Sequence, residues 1–153
     1  MENQIPLIVD RRGTVLTLTF NNISKKNALN SEMMGAMTAA IEESSNYEEL
    51  RAIVIRGEGS VFCSGADLNE WDPSQLQLLL RTIEDCSIPT IAEVHGACLG
   101  GGMGIICACD FIISKENINN LLSLSGLNNV EKIPSVEEQE EKLGNMKNRP
   151  QAQ

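Results

Sequence analysis

Two short apolar runs, Ala52-Ile53-Val54-Ile55 and Pro89 to Val94, each lead into a glycine-bearing turn, and each turn leads into a helix-patterned stretch. The first turn is Phe62-Cys63-Ser64-Gly65-Ala66-Asp67-Leu68. The second is His95-Gly96-Ala97-Cys98-Leu99-Gly100-Gly101-Gly102. Buried strands alternating with helices restrict the chain to an α/β architecture. Glycine is needed where a chain takes positive φ or approaches another group closely. Such turns expose backbone amides. Two of them meeting at one point form an oxyanion hole, with two N–H donors aimed at an oxygen that gains negative charge. Backbone donors suit that task, being fixed and needing no tuning of a pKa. The plainer reading is a pair of structural turns.

The flanking sequence extends the pattern. Ile5 to Asp10 and Val15 to Phe20 predict a hairpin, with Arg11-Arg12-Gly13 as a connection that is not an ideal two-residue turn. Asn21 to Asn30 reads as a polar loop. Ser31 is the expected N-cap of a helix carrying Met33, Met34, Met37, Ala40 and Ile41, ending near Ser44-Ser45-Asn46. Trp71 to Asp85 predicts a second helix, with Pro73 in its first turn and Leu76, Leu79, Leu80 and Ile83 on one face. Gly102 to Cys109 predicts a third helix, of small residues, and Asp110 to Ile113 a last strand.

Composition narrows the function. A length of 153 residues suits one domain. Aromatics are 3% against 42% hydrophobic residues, so the core must be packed from aliphatic and small side chains. A net charge of -9 argues against a nucleic-acid surface. The five cysteines include no pair with zinc-like spacing, so no metal is expected and a reducing compartment is. The sequence reads as cytoplasmic, with neither a signal segment nor a membrane span. After Lys115 its character changes to Asn, Gln and Glu, with a capping-box pattern at Ser135-Val136-Glu137-Glu138. The expectation is a core over 1–114 and a polar, poorly packed tail over 115–153.

Five stretches together resemble the enoyl-CoA hydratase/isomerase (crotonase) superfamily. They are Asn27-Ala28-Leu29, Ile53 to Gly57, Phe62 to Leu68, Pro89-Thr90-Ile91-Ala92 and Gly96 to Phe111. The resemblance implies a spiral of ββα units with nearly perpendicular sheets, assembled as a homotrimer or hexamer, acting on acyl-CoA thioesters without a separate cofactor. It makes the amides of Ala66 and Gly101 the oxyanion donors. It brings Ser64, Asp67 and Leu68 to the CoA adenine, and Lys25, Lys26 and Ala28 to the nucleotide and its phosphates.

Proton chemistry is where the chain departs from that pattern. The family's hydratases use two glutamates within reach of one water. The first would fall at Gly104. The second belongs to a Pro-Glu segment after the last strand, and nothing after Ser114 matches it; Ile133-Pro134 lacks the surrounding pattern. The run Gly100 to Ile105 is similar to the branch of methylglutaconyl-CoA hydratases, where glycine also fills this place but the later glutamate is expected. The loop from Asn69 to Ser87, which walls the acyl pocket in the family, is short, and the C-terminal helices that close the pocket and build the trimer are missing. The expectation is a truncated, frameshifted or alternatively ended product, with 117–153 unrelated to the family.

Other residues offer proton-carrying groups. His95 is the only histidine but occupies a structural turn position. Glu93 lies on a strand, Glu70 and Asp72 read as helix-start charges, and Asp110 reads as a helix-to-strand junction. Cys63 has no paired base. Three readings follow: an enzyme that stabilises a thioester enolate, an inactive acyl-CoA binder or pseudoenzyme subunit, and a fragment with an open apolar edge near Phe111-Ile112-Ile113.

Overall fold

A computed structural model describes residues 5–114. The tail beyond, including the capping-box pattern at Ser135, lies outside the described residues. Five strands form one sheet in sequential order: β1 (Leu7–Arg12), β2 (Val15–Phe20), β3 (Ala52–Gly57), β4 (Thr90–Val94) and β5 (Phe111–Ser114). β1 runs antiparallel to β2, and every later neighbour is parallel. The parallel crossovers carry α1 (Ser31–Ser44), α2 (Pro73–Glu84) and α3 (Gly101–Ala108).

The hairpin is tighter than the sequence implied. Arg12 pairs with Val15, so Gly13-Thr14 alone makes the turn, with Gly13 at φ +58°. Arg11 and Arg12 belong to β1 because an edge strand tolerates solvated charge. Arg12 pairs with Asp10 at 2.8 Å, and Arg11 pairs with Glu49 and lies over the Tyr47 ring.

The helix cap also differs. Asn30, at φ −111° and ψ 171°, caps α1 and accepts a 2.8 Å hydrogen bond from the Met33 amide. Ser31 is already helical, and its amide and hydroxyl both donate to the Glu70 carbonyl. Two adjacent good capping residues leave the sequence ambiguous, and the contact with Glu70 decides it. α2 begins at Pro73 rather than Trp71, capped by Asp72, whose carboxylate accepts from the Ser74 amide and hydroxyl.

The core lies between one sheet face and the helices. Leu16 and Leu18 of β2, Ile53 and Ile55 of β3, and Ala92 and Val94 of β4 are buried, and Leu18, Ile55 and Ala92 share a row across the strands. α1 contributes Met33, Met34, Met37 and Ile41, α2 Leu79 and Ile83, and α3 Ile105 and Ile106. Among the described residues one aromatic pair is in contact, Phe20 edge-on to Phe62 at 5.3 Å, which adds about 0.5–1.5 kcal/mol beyond area burial. On the opposite face Phe111 and Ile113 are more than half exposed, where the sequence placed an apolar sheet edge.

Two isolated bridges lie outside the strands of the main sheet. Leu29 bridges Ala66 and Cys63 bridges Cys98, both in parallel. Each unit therefore runs from a main-sheet strand, through a bridge segment, into a helix. Both glycine turns fall on these bridge segments.

Candidate active site

The two turns touch. Phe62 and Cys63 donate to the Ala97 carbonyl at 3.1 and 3.3 Å, and Leu99 donates back to Cys63 at 3.0 Å. Beyond this short ladder the glycines converge: a Cβ on Gly100 would lie 3.6 Å from the Gly65 Cα. Gly65 takes φ +107° and Gly100 φ +50° with ψ −119°, backbone states that glycine adopts without strain.

Each expected donor is the residue after one of these glycines. Ala66 bridges Leu29, but the flanking residues make the bonds: Leu29 donates to the Gly65 carbonyl and Asp67 to the Leu29 carbonyl, both at 2.8 Å. The Ala66 N–H therefore points away from Leu29 and has no hydrogen-bond partner among the described residues. Gly101 is the first residue of α3, where the N–H has no acceptor within the helix, and none is found among the described residues. The positive end of the α3 dipole reinforces that donor. The arrangement is two free amides on two touching turns, suited to an oxygen that gains charge.

Glycines also let α3 approach. A Cβ on Gly102 would fall 2.8 Å from the Cys63 Cβ and 3.1 Å from the Cys98 Sγ. Cys63 is fully buried, its sulfur accepts from the Gly65 amide at 3.4 Å, and burial pushes its thiol up to about 11. At pH 7 the thiol is a neutral packing group. Gly104 faces α2, where a Cβ would meet Leu80 at 3.3 Å, and a Cβ on Gly101 would meet Leu76 at 3.3 Å. Leucines thus line the side of α3 where the family resemblance implies a carboxylate.

The remaining candidates divide. Lys25 pairs with Asp67 at 2.9 Å and reaches Glu70 at 3.9 Å. The Lys25 hydrogen bond holds the buried Asp67 carboxyl below its ordinary range, with help from the Asn69 amide, and the same pairing raises Lys25. Lys26 is exposed, left-handed at φ 51°, and makes no ion pair among the described residues. Ala28 is buried, Ser64 is half-buried and donates through Oγ to the Lys25 carbonyl, and Leu68 is 85% exposed. The structure brings Lys25, Ser64 and Asp67 together beside Ala66 and leaves Lys26 and Leu68 in solvent.

The alternative proton carriers have structural partners. His95 Nε2 lies 2.7 Å from the Gly59 carbonyl, so that nitrogen carries a hydrogen. Glu93 faces Arg56 at 3.8 Å. Asp110 accepts from the amide and hydroxyl of Thr90, tying the start of β5 to β4. Sequence reasoning assigned no role to Asn27, which is fully buried, left-handed at φ 55°, accepts through Oδ1 from the Asn22 amide and donates through Nδ2 to the Glu58 and Val61 carbonyls. An asparagine in a polar loop before an apolar pair was the available signal, since Asn tolerates positive φ.

Comparison with known proteins decides the family, because the model for enoyl-CoA hydratase/isomerase matches residues 10–128. The chain belongs to that family. The match runs past the boundary expected at residue 114. Among relatives of this crotonase-family chain, a Mycobacterium tuberculosis protein named probable enoyl-CoA hydratase EchA14 is 32% identical over 119 residues, 71% of this chain and 46% of its own length. The peroxisomal Delta(3,5)-Delta(2,4)-dienoyl-CoA isomerase of Arabidopsis thaliana is 28% identical over 167 residues, 89% of this chain and 60% of its own. The crystal structure of an enoyl-CoA hydratase from Mycobacterium avium subsp. paratuberculosis superposes with a TM-score of 0.67 at 28% identity, covering 71% of this chain and 44% of that one. The chain spans about half the length of the curated relatives it matches. The α/β crotonase-like fold expected from the sequence is the fold of the described core. Among the described residues no helix is long and apolar enough to cross a membrane, and no cluster of three or more metal-ligating side chains occurs.

Proposed function

We propose that this chain binds acyl-CoA thioesters and holds the thioester oxygen between the amides of Ala66 and Gly101. The observation that carries this is the pair of free N–H groups, each following a positive-φ glycine, on turns that touch. As negative charge moves onto that oxygen, both hydrogen bonds strengthen, which is the differential stabilisation that lowers a barrier. The product of that charge transfer is a thioester enolate, the species shared by hydration and double-bond isomerisation. Lys26, exposed beside the first turn, is the cation available to a CoA phosphate, and the backbone at Ser64 to Leu68 borders the adenine. Homotrimer or hexamer assembly and a branch near the methylglutaconyl-CoA hydratases belong to the same reading.

A second reading has its own observation. Gly104 carries no carboxylate and a Cβ there would meet Leu80, so α3 brings no proton carrier to the oxyanion site from that position. On that reading the chain is an acyl-CoA binder, or a subunit working beside catalytically complete ones.

One experiment tests both. The protein is mixed with crotonyl-CoA and with 3-methylglutaconyl-CoA, and enoyl-thioester absorbance and thermal stability are followed together. Turnover that Gly101→Pro lowers by about 10²–10³, the cost of one oxyanion donor, supports the enzyme. A rise in Tm without turnover supports the binder. Turnover unchanged in Gly101→Pro, or no response of any kind, defeats the oxyanion assignment.

A further inference from the structure

Residues 25–29 run alongside 64–67 and are bonded to them through Lys25, Lys26 and Leu29. Ser64 donates through its amide to the Lys26 carbonyl at 3.0 Å and through Oγ to the Lys25 carbonyl at 3.2 Å. Leu29 donates to Gly65 and accepts from Asp67, on either side of Ala66. Lys25 closes the far end on Asp67. The first segment acts as a splint for the second, and its bonds fix which way the Ala66 N–H points.

Asn27 ties the splint to the sheet. Its Nδ2 donates to the Glu58 carbonyl at 2.8 Å and to the Val61 carbonyl at 3.0 Å, and its Oδ1 accepts from the Asn22 amide at 3.0 Å. Glu58 directly follows β3, and Val61 lies two residues before Cys63. Room for the carboxamide comes from Gly57, where a Cβ would stand 3.0 Å from Nδ2 and 2.9 Å from the Phe62 carbonyl. A fully buried amide with both donors and an acceptor used is stabilising, whereas one left partly unpaired costs free energy.

We infer that Asn27 is a positioning residue for the Ala66 donor, setting its direction by holding the 25–29 splint against the end of β3. The functional weight of this assignment rests on the oxyanion reading above; the mechanical part does not. Asn27→Gly permits the left-handed backbone and removes the side chain with its carboxamide. Asn27→Asp keeps the shape but turns two donors into an oxygen facing two carbonyls.

The test uses the full chain with amide NMR and hydrogen exchange, beside binding of crotonyl-CoA and of its thioether analogue, which lacks the carbonyl. In both variants Leu29, Ser64 and Asp67 should exchange about tenfold faster, as expected when roughly one hydrogen bond's worth of support is lost. The Ala66 resonance should move, while Ile53 and Ile55 in β3 keep their protection. The preference for thioester over thioether should fall about tenfold in Asn27→Gly, with affinity for the thioether unchanged. Unchanged exchange at Leu29, Ser64 and Asp67 would overturn the inference. So would equal loss of protection in β3 or an unfolded variant, either of which assigns Asn27 to the fold as a whole. A wild-type protein that shows no preference for the thioester defeats the oxyanion reading alone, and the exchange data still judge Asn27.

Discussion

Gly102 sets how closely α3 can approach the first turn. Its missing side chain is replaced in space by Cys63 and Cys98, both buried and unable to retreat. Gly102→Ala should therefore cost about 1–3 kcal/mol, the range for overpacking, read as a lower denaturant midpoint at unchanged m-value. The Lys25–Asp67 pair makes a prediction about pH. The carboxyl of Asp67 is held below its unfolded value of about 3.9, so its contribution to stability is present above that pH and is lost as pH falls through the folded value. Lys25, raised by the same contact, contributes below its unfolded value of about 10.4 and loses that contribution as pH rises through the raised one. Lys25→Met should flatten the melting-temperature profile at both extremes while lowering Tm at pH 7. A variant profile parallel to the wild type would show that the pair adds nothing to folding.

At the scale of elements, α1 depends on its cap. Asn30→Ala should destabilise by about 1 kcal/mol, whereas Ser31→Ala, which leaves the Met33 amide capped, should cost less. Denaturant titration of the two variants separates them, and the reverse order would return the cap to Ser31. The order of strands and helices was readable in the sequence because each element carries its own period, as in the Met33, Met37 and Ile41 spacing of α1 or the alternation through β2. The two turns were readable because glycine marks where a backbone must turn, while the choice of Ala66 and Gly101 within them came from the family resemblance. The meeting of Gly65 and Gly100 was not, since it joins residues distant in the chain. The two lysines were equally open: adjacency in sequence gives no sign that one bonds Asp67 while the other stays in solvent. Asn27 was hidden for the same reason, its partners lying at 22, 58 and 61.

The whole molecule carries a net charge of -9 with a pI near 4.6. Self-repulsion is strong at neutral pH and vanishes near the pI, so light scattering should peak close to pH 4.6 and decline on either side. Dependence on protein concentration distinguishes this association from the loss of the Lys25–Asp67 contribution, which is a property of one chain. One consequence of the site's construction reaches beyond stability. Both proposed donors belong to the main chain, so replacing the methyl group of Ala66 deletes neither of them, and proline is the one residue type that removes an amide hydrogen. The side chains around such a cradle are free to drift. A lineage can gain, move or lose the side chains around a main-chain cradle while inheriting the cradle intact, and this gives one scaffold a route to several reactions, or to none.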